Sequence, residues 1–288
     1  MYKNFSEMLN HCKENKSSIW EVALINEINL SGKSEEEIFK ELIRRLEIMK
    51  ESAKNALDKP VGGEMNLIRG VAKNQFEHSK KQTVCGKYLN TVMAYALSCS
   101  EVNSAMGKIC AAPTAGSCGI LPAVIISVGE NLNLSEKEMA KGLLTSAAVG
   151  AVIMKNGTVA GAEGGCQAEC GVAAAMASAA AVEIYGGDAE MALEAASISL
   201  INVMGLVCDP IAGLVQVPCA QRNASQSLNA MLSADMALGG MKIGIPLDEV
   251  VEAMVKVGKM LPWELKETAA GGIAATKAGK VIAEKFFG

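Results

Sequence analysis

The run VAAAMASAAAV at residues 172–182 constrains the possible folds of this chain more than any other stretch. A helix that is apolar on every side lies in the core of a protein or in a membrane. The run is much shorter than the roughly 20 residues that a membrane span needs, and so is GLLTSAAVGAVIM at residues 142–154. We therefore expect both segments to be buried core helices, and we expect no contact with a membrane.

Small side chains supply much of the apolar surface in the rest of the chain. Hydrophobic residues make up 50% of the 288 residues and aromatic residues only 4%, alongside 28 glycines. Because helix axes approach most closely where the contacting side chains are small, this composition favours packed helices. We find no alternating strand pattern and no repeat with a period of roughly 20–50 residues. The prediction is an all-α fold with a single helical domain over residues 1–288.

Capping signals and turn residues divide the chain into predicted helices. Residues 1–57 hold an N-terminal pair of helices, the second opened by the capping box of Ser34 and Glu37, and are a candidate contact surface for a partner chain. Residues 58–84 are predicted to be irregular, and the tail after residue 264 is flexible in composition. Ser135 with Glu138 forms another capping box, and Asp188 is a predicted cap. Further helices are predicted over residues 86–103, from 119, over 135–154, over 166–185, over 189–204, from 221, from Pro246 in the first helical position, and up to Phe287.

Three cysteines occur where the chain leaves or enters regular structure. Cys166 follows a Gly-Gly pair, Cys208 precedes Asp-Pro, and Cys219 follows a proline. Because glycine and proline mark loops, we expect all three thiols on loops between helices, where thiolates can converge on a soft metal centre. The alternative is that they are buried structural cysteines, and their spacing is not the compact pattern of a zinc site. The residues alone leave both interpretations open.

Two polar segments are candidates for binding an anionic substrate. The turn Pro113–Ser117 leads into an apolar helix and presents free N–H groups and two hydroxyls, which suits a carboxylate, although an ordinary helix cap is the alternative. The second segment, HSKK at residues 78–81, contains one of the two histidines. Its cations can reach an anionic substrate, and the alternative is a solvated surface loop.

The charge balance and the first residues exclude some classes of protein. The net charge is −4 and no basic block occurs, so we expect no nucleic-acid binding. The first residues, MYKNFSEMLN, lack the apolar core of a signal peptide, which favours a cytoplasmic location. In that reducing compartment the nine cysteines are expected to be thiols or metal ligands instead of disulfides.

Three long segments give the chain a resemblance to a known family. GCQAECGVAAAMA, GLVCDPIAGLVQVPCAQRNA and APTAGSCGILPAV together resemble the iron–sulfur-dependent L-serine dehydratases, specifically the alpha chain of the two-subunit form. The resemblance extends from about the middle of the first hundred residues to LKETAAGGIA near the C-terminus. It implies an enzyme of amino-acid degradation and gluconeogenesis, with a cluster-binding catalytic core over residues 85–275 and a separate beta chain as partner.

The resemblance also implies roles for the residues named above. Cys166, Cys208 and Cys219 are expected to hold a 4Fe-4S cluster, and the iron that lacks a protein ligand acts as a Lewis acid on a hydroxyl group. L-Serine loses water by β-elimination and yields pyruvate and ammonia. The carboxylate of L-serine is expected to bind to loop residues Thr114, Ala115, Gly116, Ser117 and Gly119.

The base that removes the Cα proton of the substrate is not fixed by the sequence. Ser117, His78 and Lys80 are the candidates within this chain, and the partner chain is a further source of the base. Glu267 and Thr268 match a family segment near the C-terminus and are candidates for closing the site.

Some alternatives stay open at the level of sequence. Cys118 lies in the substrate loop and Cys170 lies four residues after Cys166, so either is an alternative cluster ligand. A related cluster enzyme acting on L-cysteine or L-threonine is one alternative function. A non-catalytic iron–sulfur sensor is another, but it needs an output surface such as a basic helix. A pyridoxal-phosphate dehydratase needs a Schiff-base lysine, and the PTAGS turn has only Lys108 nearby.

Overall fold

A computed structural model describes residues 2–63 and 65–287 of the chain. No strand occurs in this part of the chain, and its one isolated β-bridge joins Cys208 to Lys266. The prediction of an all-α fold is therefore confirmed. The α-helices are α1 (Phe5–Asn15), α2 (Ile19–Ser31), α3 (Glu35–Asp58), α4 (Val71–Ser79), α5 (Gly86–Ser104), α6 (Ile120–Leu132), α7 (Glu136–Asn156), α8 (Gly161–Gly164), α9 (Val172–Ile184), α10 (Ala189–Ile201), α11 (Cys219–Leu238), α12 (Leu247–Met260) and α13 (Lys277–Phe287). A π-helix spans Gln167–Gly171, and single turns of 3-10 helix span Ile211–Gly213 and Trp263–Leu265.

Helix α9, which contains the alanine-rich run, lies at the centre of the core. It packs against α6, α7, α10 and α11, and every residue from Val172 to Val182 is buried. Its small side chains bring neighbouring backbones close, as the hydrogen bond from the Ser146 hydroxyl on α7 to the Met176 carbonyl shows. Across the described residues, none of the helices combines the length and the apolar character that crossing a bilayer requires.

The predicted capping residues occupy the helix starts as expected. The hydroxyls of Ser34 and Ser135 accept the backbone N–H groups three residues later, and both pairs form complete capping boxes. Asp188 caps α10 by accepting the N–H of Met191 at 2.9 Å. These local hydrogen bonds fix the starts of α3, α7 and α10, because each satisfies an N–H group that the helix itself leaves unpaired.

The predicted pair of helices over residues 1–57 is wrong in number, because the chain before Ser34 forms two helices, α1 and α2, and both join the main core. Lys16 ends α1 in the left-handed conformation with φ of 50°, and α2 then packs against α7. Phe5, Met8 and Ile19 are buried in the same apolar cluster as α9, whereas Ile25 on α2 is 60% exposed. The predicted contact of residues 1–57 with a partner chain stays a prediction.

Helix α4 lies within the segment that we predicted to be irregular, so that prediction is wrong for residues 71–79. The helix has no side-chain cap, and Gly70 precedes it with φ of 85°. Its support comes from Glu101 on α5, a fully buried carboxylate that accepts the N–H groups of Val61 and Ala72. A short polar helix held by a residue far along the chain gives no local sequence signal.

The start of α12 differs from the prediction by one position. Pro246 is the N-cap residue, with an extended ψ of 144°, and the helix begins at Leu247. The proline was expected in the first helical position, so this prediction is wrong by one residue. Boundary differences of this size are common, because a cap and a first helical residue share much of their sequence signal.

Candidate active site

The first cysteine segment is organised by a fully buried glutamine. Cys166 lies between the short helix α8 and the π-helix, and Gln167 follows it. The Gln167 side-chain amide donates to the carbonyls of Gly164 and Met254, and its oxygen accepts the N–H of Gly205 at 2.8 Å. The turn that carries Cys166 is thereby tied to the segment that leads to Cys208. A π-helix is uncommon and often marks a functional site.

The second cysteine segment is held by the C-terminal part of the chain. The Cys208 N–H donates to the Leu265 carbonyl at 2.8 Å, and the Cys208 carbonyl accepts the N–H of Glu267 at 2.7 Å. The adjoining Asp209 accepts the N–H of Ile273 through one carboxylate oxygen at 2.8 Å. Residues 265–273 of the tail are thus held by hydrogen bonds to the cysteine segment, although the composition of the tail had predicted flexibility.

Arg222 on α11 connects the second and third cysteine segments. Its guanidinium donates to the Val207 carbonyl and to the Asp209 carboxylate, both at 2.7 Å. The side chains of this ion pair are only 15% and 4% exposed. Because Arg222 lies three residues after Cys219, the fork of the guanidinium sets α11 against the loop that carries Cys208.

The three thiols lie in one electrostatic neighbourhood. A hydrogen bond from the Cys170 thiol lowers the pKa of Cys166 against the effect of burial, and the charge of Arg222 lowers it further. Burial raises the pKa of Cys219 to about 12, with smaller contributions from the charges of Cys166 and Glu169. Burial, followed by the charge of Cys166, also raises the pKa of Cys208. Cys208 and Cys219, which lie 42 or more residues after Cys166 in sequence, are therefore close enough for the charge of Cys166 to act on both.

The three predicted ligands are cysteines, the residue type that usually binds iron–sulfur clusters. Among the described residues, no three His, Cys, Asp or Glu side chains lie close enough to bind one metal ion. A four-iron cluster does not require the three sulfur atoms to meet at one metal ion, because each thiolate binds its own iron atom. Cys166, Cys208 and Cys219 are free thiols, and Arg222 supplies positive charge beside them.

The two alternative ligands are placed differently from those three. The Cys118 sulfur faces the Cys99 carbonyl on α5 at 3.8 Å and is buried in the helical core. Cys170 is buried in the π-helix, and its thiol lowers the pKa of Cys166. Cys118 thus contacts the core, and Cys170 supports one member of the predicted ligand set.

The predicted substrate loop lies beside the cysteines and is held by α11. The Asn223 side chain accepts the Gly119 N–H at 2.8 Å and donates to the Gly116 carbonyl at 2.7 Å. Asn223 also donates to the carbonyl of Cys219. One asparagine therefore joins the loop to the helix that begins at the third cysteine, and the structure brings these predicted site residues together.

The loop presents three consecutive N–H groups. In the described part of the chain, the backbone N–H groups of Ala115, Gly116 and Ser117 donate to no other protein group. The hydroxyls of Thr114 and Ser117 lie 3.1 Å apart, and Ser117 is fully buried. Successive N–H groups in a turn can bind an anion, which agrees with the expected carboxylate site. The Gly119 N–H, by contrast, is already bonded to Asn223.

Glu169 is a site residue that we did not predict. Its carboxylate accepts the Thr114 hydroxyl at 2.8 Å, and burial raises its pKa. A Cβ atom added to Gly116 or Gly161 would lie within 2.9 Å of a Glu169 oxygen. The sequence signal was an isolated acidic residue inside the motif GCQAECG, whose other residues are small or polar and uncharged.

The predicted cationic segment lies apart from these groups in the structure. His78 and Lys80 are exposed at the C-terminal end of α4, and Lys80 pairs with Glu77 at 2.7 Å. Within the described ranges, no hydrogen bond or ion pair joins either residue to the cysteines or to residues 114–119. Their role as the base stays a prediction.

The segment expected to close the site lies against the cysteines. The charge of Glu267 contributes to the raised pKa of both Cys208 and Cys219. Glu267 has φ of 64°, and the Thr268 hydroxyl donates to the carbonyls of Trp263 and Glu264. Glu267 is thus the member of this pair whose charge acts on the thiols.

Comparisons with known proteins agree on one family. The profile described as serine dehydratase alpha chain matches residues 14–274. The chain is 48% identical to the L-serine dehydratase alpha chain of Peptoniphilus asaccharolyticus, over 99% of this chain and 98% of that one. It is 42% identical to a probable L-serine dehydratase alpha chain of Bacillus subtilis, over 100% and 96%. L-serine dehydratase 1 of Escherichia coli is 33% identical over 95% of this chain and 61% of its own length.

Proposed function

The chain belongs to the serine dehydratase alpha chain family, and we propose that it dehydrates L-serine to pyruvate and ammonia with a 4Fe-4S cluster held by Cys166, Cys208 and Cys219. The observation that carries the proposal is the shared surroundings of the three thiols beside a loop with three available N–H groups. Metal ligands and an anion site next to each other suit a reaction on a small amino acid.

The cluster and the protein have different roles in this proposal. When bound, it supplies Lewis-acid assistance to the departure of the substrate hydroxyl group. The protein contributes the remaining interactions. Arg222 offsets the negative charge of the thiolates, and the hydrogen bonds of Gln167 and Asp209 hold the cysteine segments in place.

The loop residues orient the substrate. The N–H groups of Ala115, Gly116 and Ser117 bind the carboxylate, which stabilises the negative charge that develops as the Cα proton leaves. The Cα proton and the β-hydroxyl together make one water. The resulting enamine becomes an imine, and hydrolysis of the imine consumes one water and releases ammonia and pyruvate.

The base acts on the Cα proton of the bound substrate. Of the three groups predicted for this role, the Ser117 hydroxyl belongs to the loop itself and adjoins Thr114. His78 and Lys80 are exposed on α4. We propose Ser117 as the group nearest to the carboxylate site, with His78 and Lys80 as the other candidates.

A separate beta chain is part of the proposal. The relatives from Peptoniphilus asaccharolyticus and Bacillus subtilis are named as alpha chains, and this chain spans only 61% of the Escherichia coli relative. We propose that the beta chain completes the active enzyme. Pyruvate release from L-serine by this chain with and without its beta chain tests this point.

Serine substitutions test the cluster assignment. Cys166→Ser, Cys208→Ser and Cys219→Ser should each abolish the visible absorption of the cluster together with pyruvate release, because each removes one thiolate ligand. The enzyme is reconstituted anaerobically with iron and sulfide in the presence of the beta chain. Cys85→Ser, which changes an exposed thiol, is the matched control and should keep both. Full activity in a colourless enzyme would rule out the cluster.

A further inference from the structure

Glu169 has fewer hydrogen-bond donors than a carboxylate in its position requires. In the described residues, the Thr114 hydroxyl is the one group that donates to it, although the side chain is partly buried. An ionised carboxylate has about four acceptor positions, and burying one without partners is costly. The positive charge of Arg222 acts on Glu169, but the guanidinium itself donates to Val207 and Asp209.

Two glycines make room for this carboxylate. A Cβ atom on Gly116 would lie 2.9 Å from one oxygen of Glu169, and a Cβ atom on Gly161 would lie 2.8 Å from the other. The same position on Gly161 is 3.0 Å from the Cys208 sulfur. The carboxylate therefore occupies a space bounded by the substrate loop on one side and by a predicted cluster ligand on the other.

The charges around this space are mainly negative. The groups that act on the thiols of Cys208 and Cys219 are the other thiols, Glu169, Glu267 and, for Cys219, Arg222. The guanidinium of Arg222 already pairs with Asp209, and among the described residues no ion pair forms with Glu169. A positively charged group on the ligand would balance the carboxylate.

We propose that Glu169 binds the α-ammonium group of the substrate and so restricts the site to 2-amino acids. The inference rests on the proposed function. The N–H groups of residues 115–117 take the carboxylate of the amino acid, and Glu169 takes the ammonium group on the same carbon. Thr114, which donates to Glu169, holds the carboxylate side chain beside the loop.

The test compares two ligands that differ in the ammonium group. L-Serine is the substrate, and 3-hydroxypropionate, which has the same hydroxyl and carboxylate but no amino group, is used as a competitive inhibitor. Glu169→Gln keeps the size of the side chain and an acceptor for Thr114 but removes the charge. The reconstituted enzyme with its beta chain is used, and cluster absorption reports whether the site is intact.

The expected result is a selective change in affinity. Glu169→Gln should raise the KM for L-serine by about 10- to 100-fold, which corresponds to the loss of one charged hydrogen bond. The inhibition constant of 3-hydroxypropionate should stay within about twofold, because this ligand makes no contact that depends on the charge. Glu163→Gln, an exposed substitution on α8, is the matched control and should change neither constant.

Three other outcomes would each overturn the inference. An unchanged KM with a lower kcat would assign Glu169 to proton transfer, and an equal change in both constants would make it only a support of the loop. If Glu169→Gln loses the cluster, the affinities of the wild-type enzyme for L-serine and 3-hydroxypropionate are measured by calorimetry instead. Similar affinities for the two ligands would also refute binding of the ammonium group by Glu169. A wild-type enzyme that carries the cluster but releases no pyruvate would refute the proposed function instead.

Discussion

At the scale of the residue, Arg222 shows how one side chain can organise a site made from distant segments. It is the third residue after Cys219, it donates to the backbone before Cys208, and its charge acts on Cys166. Its partner Asp209 also binds the N–H of Ile273. The guanidinium is therefore required both as a charge and as a planar fork with two directed donors.

Replacing this arginine by lysine separates the two requirements. Arg222→Lys keeps the charge but cannot make both hydrogen bonds, so the free energy of unfolding of the apo chain should fall by about 1–3 kcal/mol. Urea unfolding under anaerobic conditions measures the change. Arg44→Lys removes the same kind of fork from an exposed pair with Glu41 and should cost less than about 1 kcal/mol. Equal losses in the two variants would show that burial of the Arg222 pair is unimportant.

At the scale of the element, Glu183 near the end of α9 joins three helices. Its carboxylate accepts the N–H groups of Ile19 and Trp20 at the start of α2 and the hydroxyl of Thr145 on α7. It thus caps α2 from a position 164 residues away in sequence. Burial raises its pKa, partly offset by these hydrogen bonds, and the charge of Glu21 adds to the increase.

The raised pKa of Glu183 predicts how stability depends on pH. The protonated carboxyl is favoured in the folded state, so its contribution is fully present below the ordinary pKa of 4.5 and is lost as the pH rises through the raised pKa. Relative to Glu183→Gln, the wild-type chain should therefore lose stability over the pH range above 4.5. Urea midpoints of both proteins across this range measure the difference. A stability of the wild-type chain that increases with pH relative to Glu183→Gln would contradict this prediction. Glu27→Gln, which changes an exposed carboxylate, is the control.

At the scale of the whole molecule, local signals predicted the helices but did not predict the contacts between them. The alanine-rich run predicted α9, and the capping serines predicted the starts of α3 and α7, because these signals lie within or next to each helix. The loop glycines and prolines correctly placed Cys166 and Cys208 between helices, but the prediction of a loop is wrong for Cys219, which is the first residue of α11. Glu169 was missed since its partner Thr114 lies 55 residues away, and α4 was missed since Glu101 on another helix supports it.

The proposed cluster should also act as a cross-link for the whole molecule. Its three predicted ligands come from the segment before the π-helix, from the loop at Cys208 and from the start of α11. Because the metal binds only the folded arrangement, anaerobic removal of iron by a chelator should lower the melting temperature. Differential scanning calorimetry measures the shift. The same treatment of Cys219→Ser should cause no shift, and an equal shift in both proteins would mean that the chelator acts elsewhere.

The pairing of Cys208 with residues 265–267 has a consequence for biosynthesis. Among the described residues, the backbone of Cys208 is hydrogen-bonded to Leu265 and Glu267, and the Asp209 carboxylate accepts the N–H of Ile273. On the ribosome, a nascent chain that ends before these residues lacks the contacts that hold this loop. For the proposed cluster, we therefore expect iron and sulfide to be delivered after the translation of this late segment, and we expect a chain truncated before Leu265 to bind no cluster.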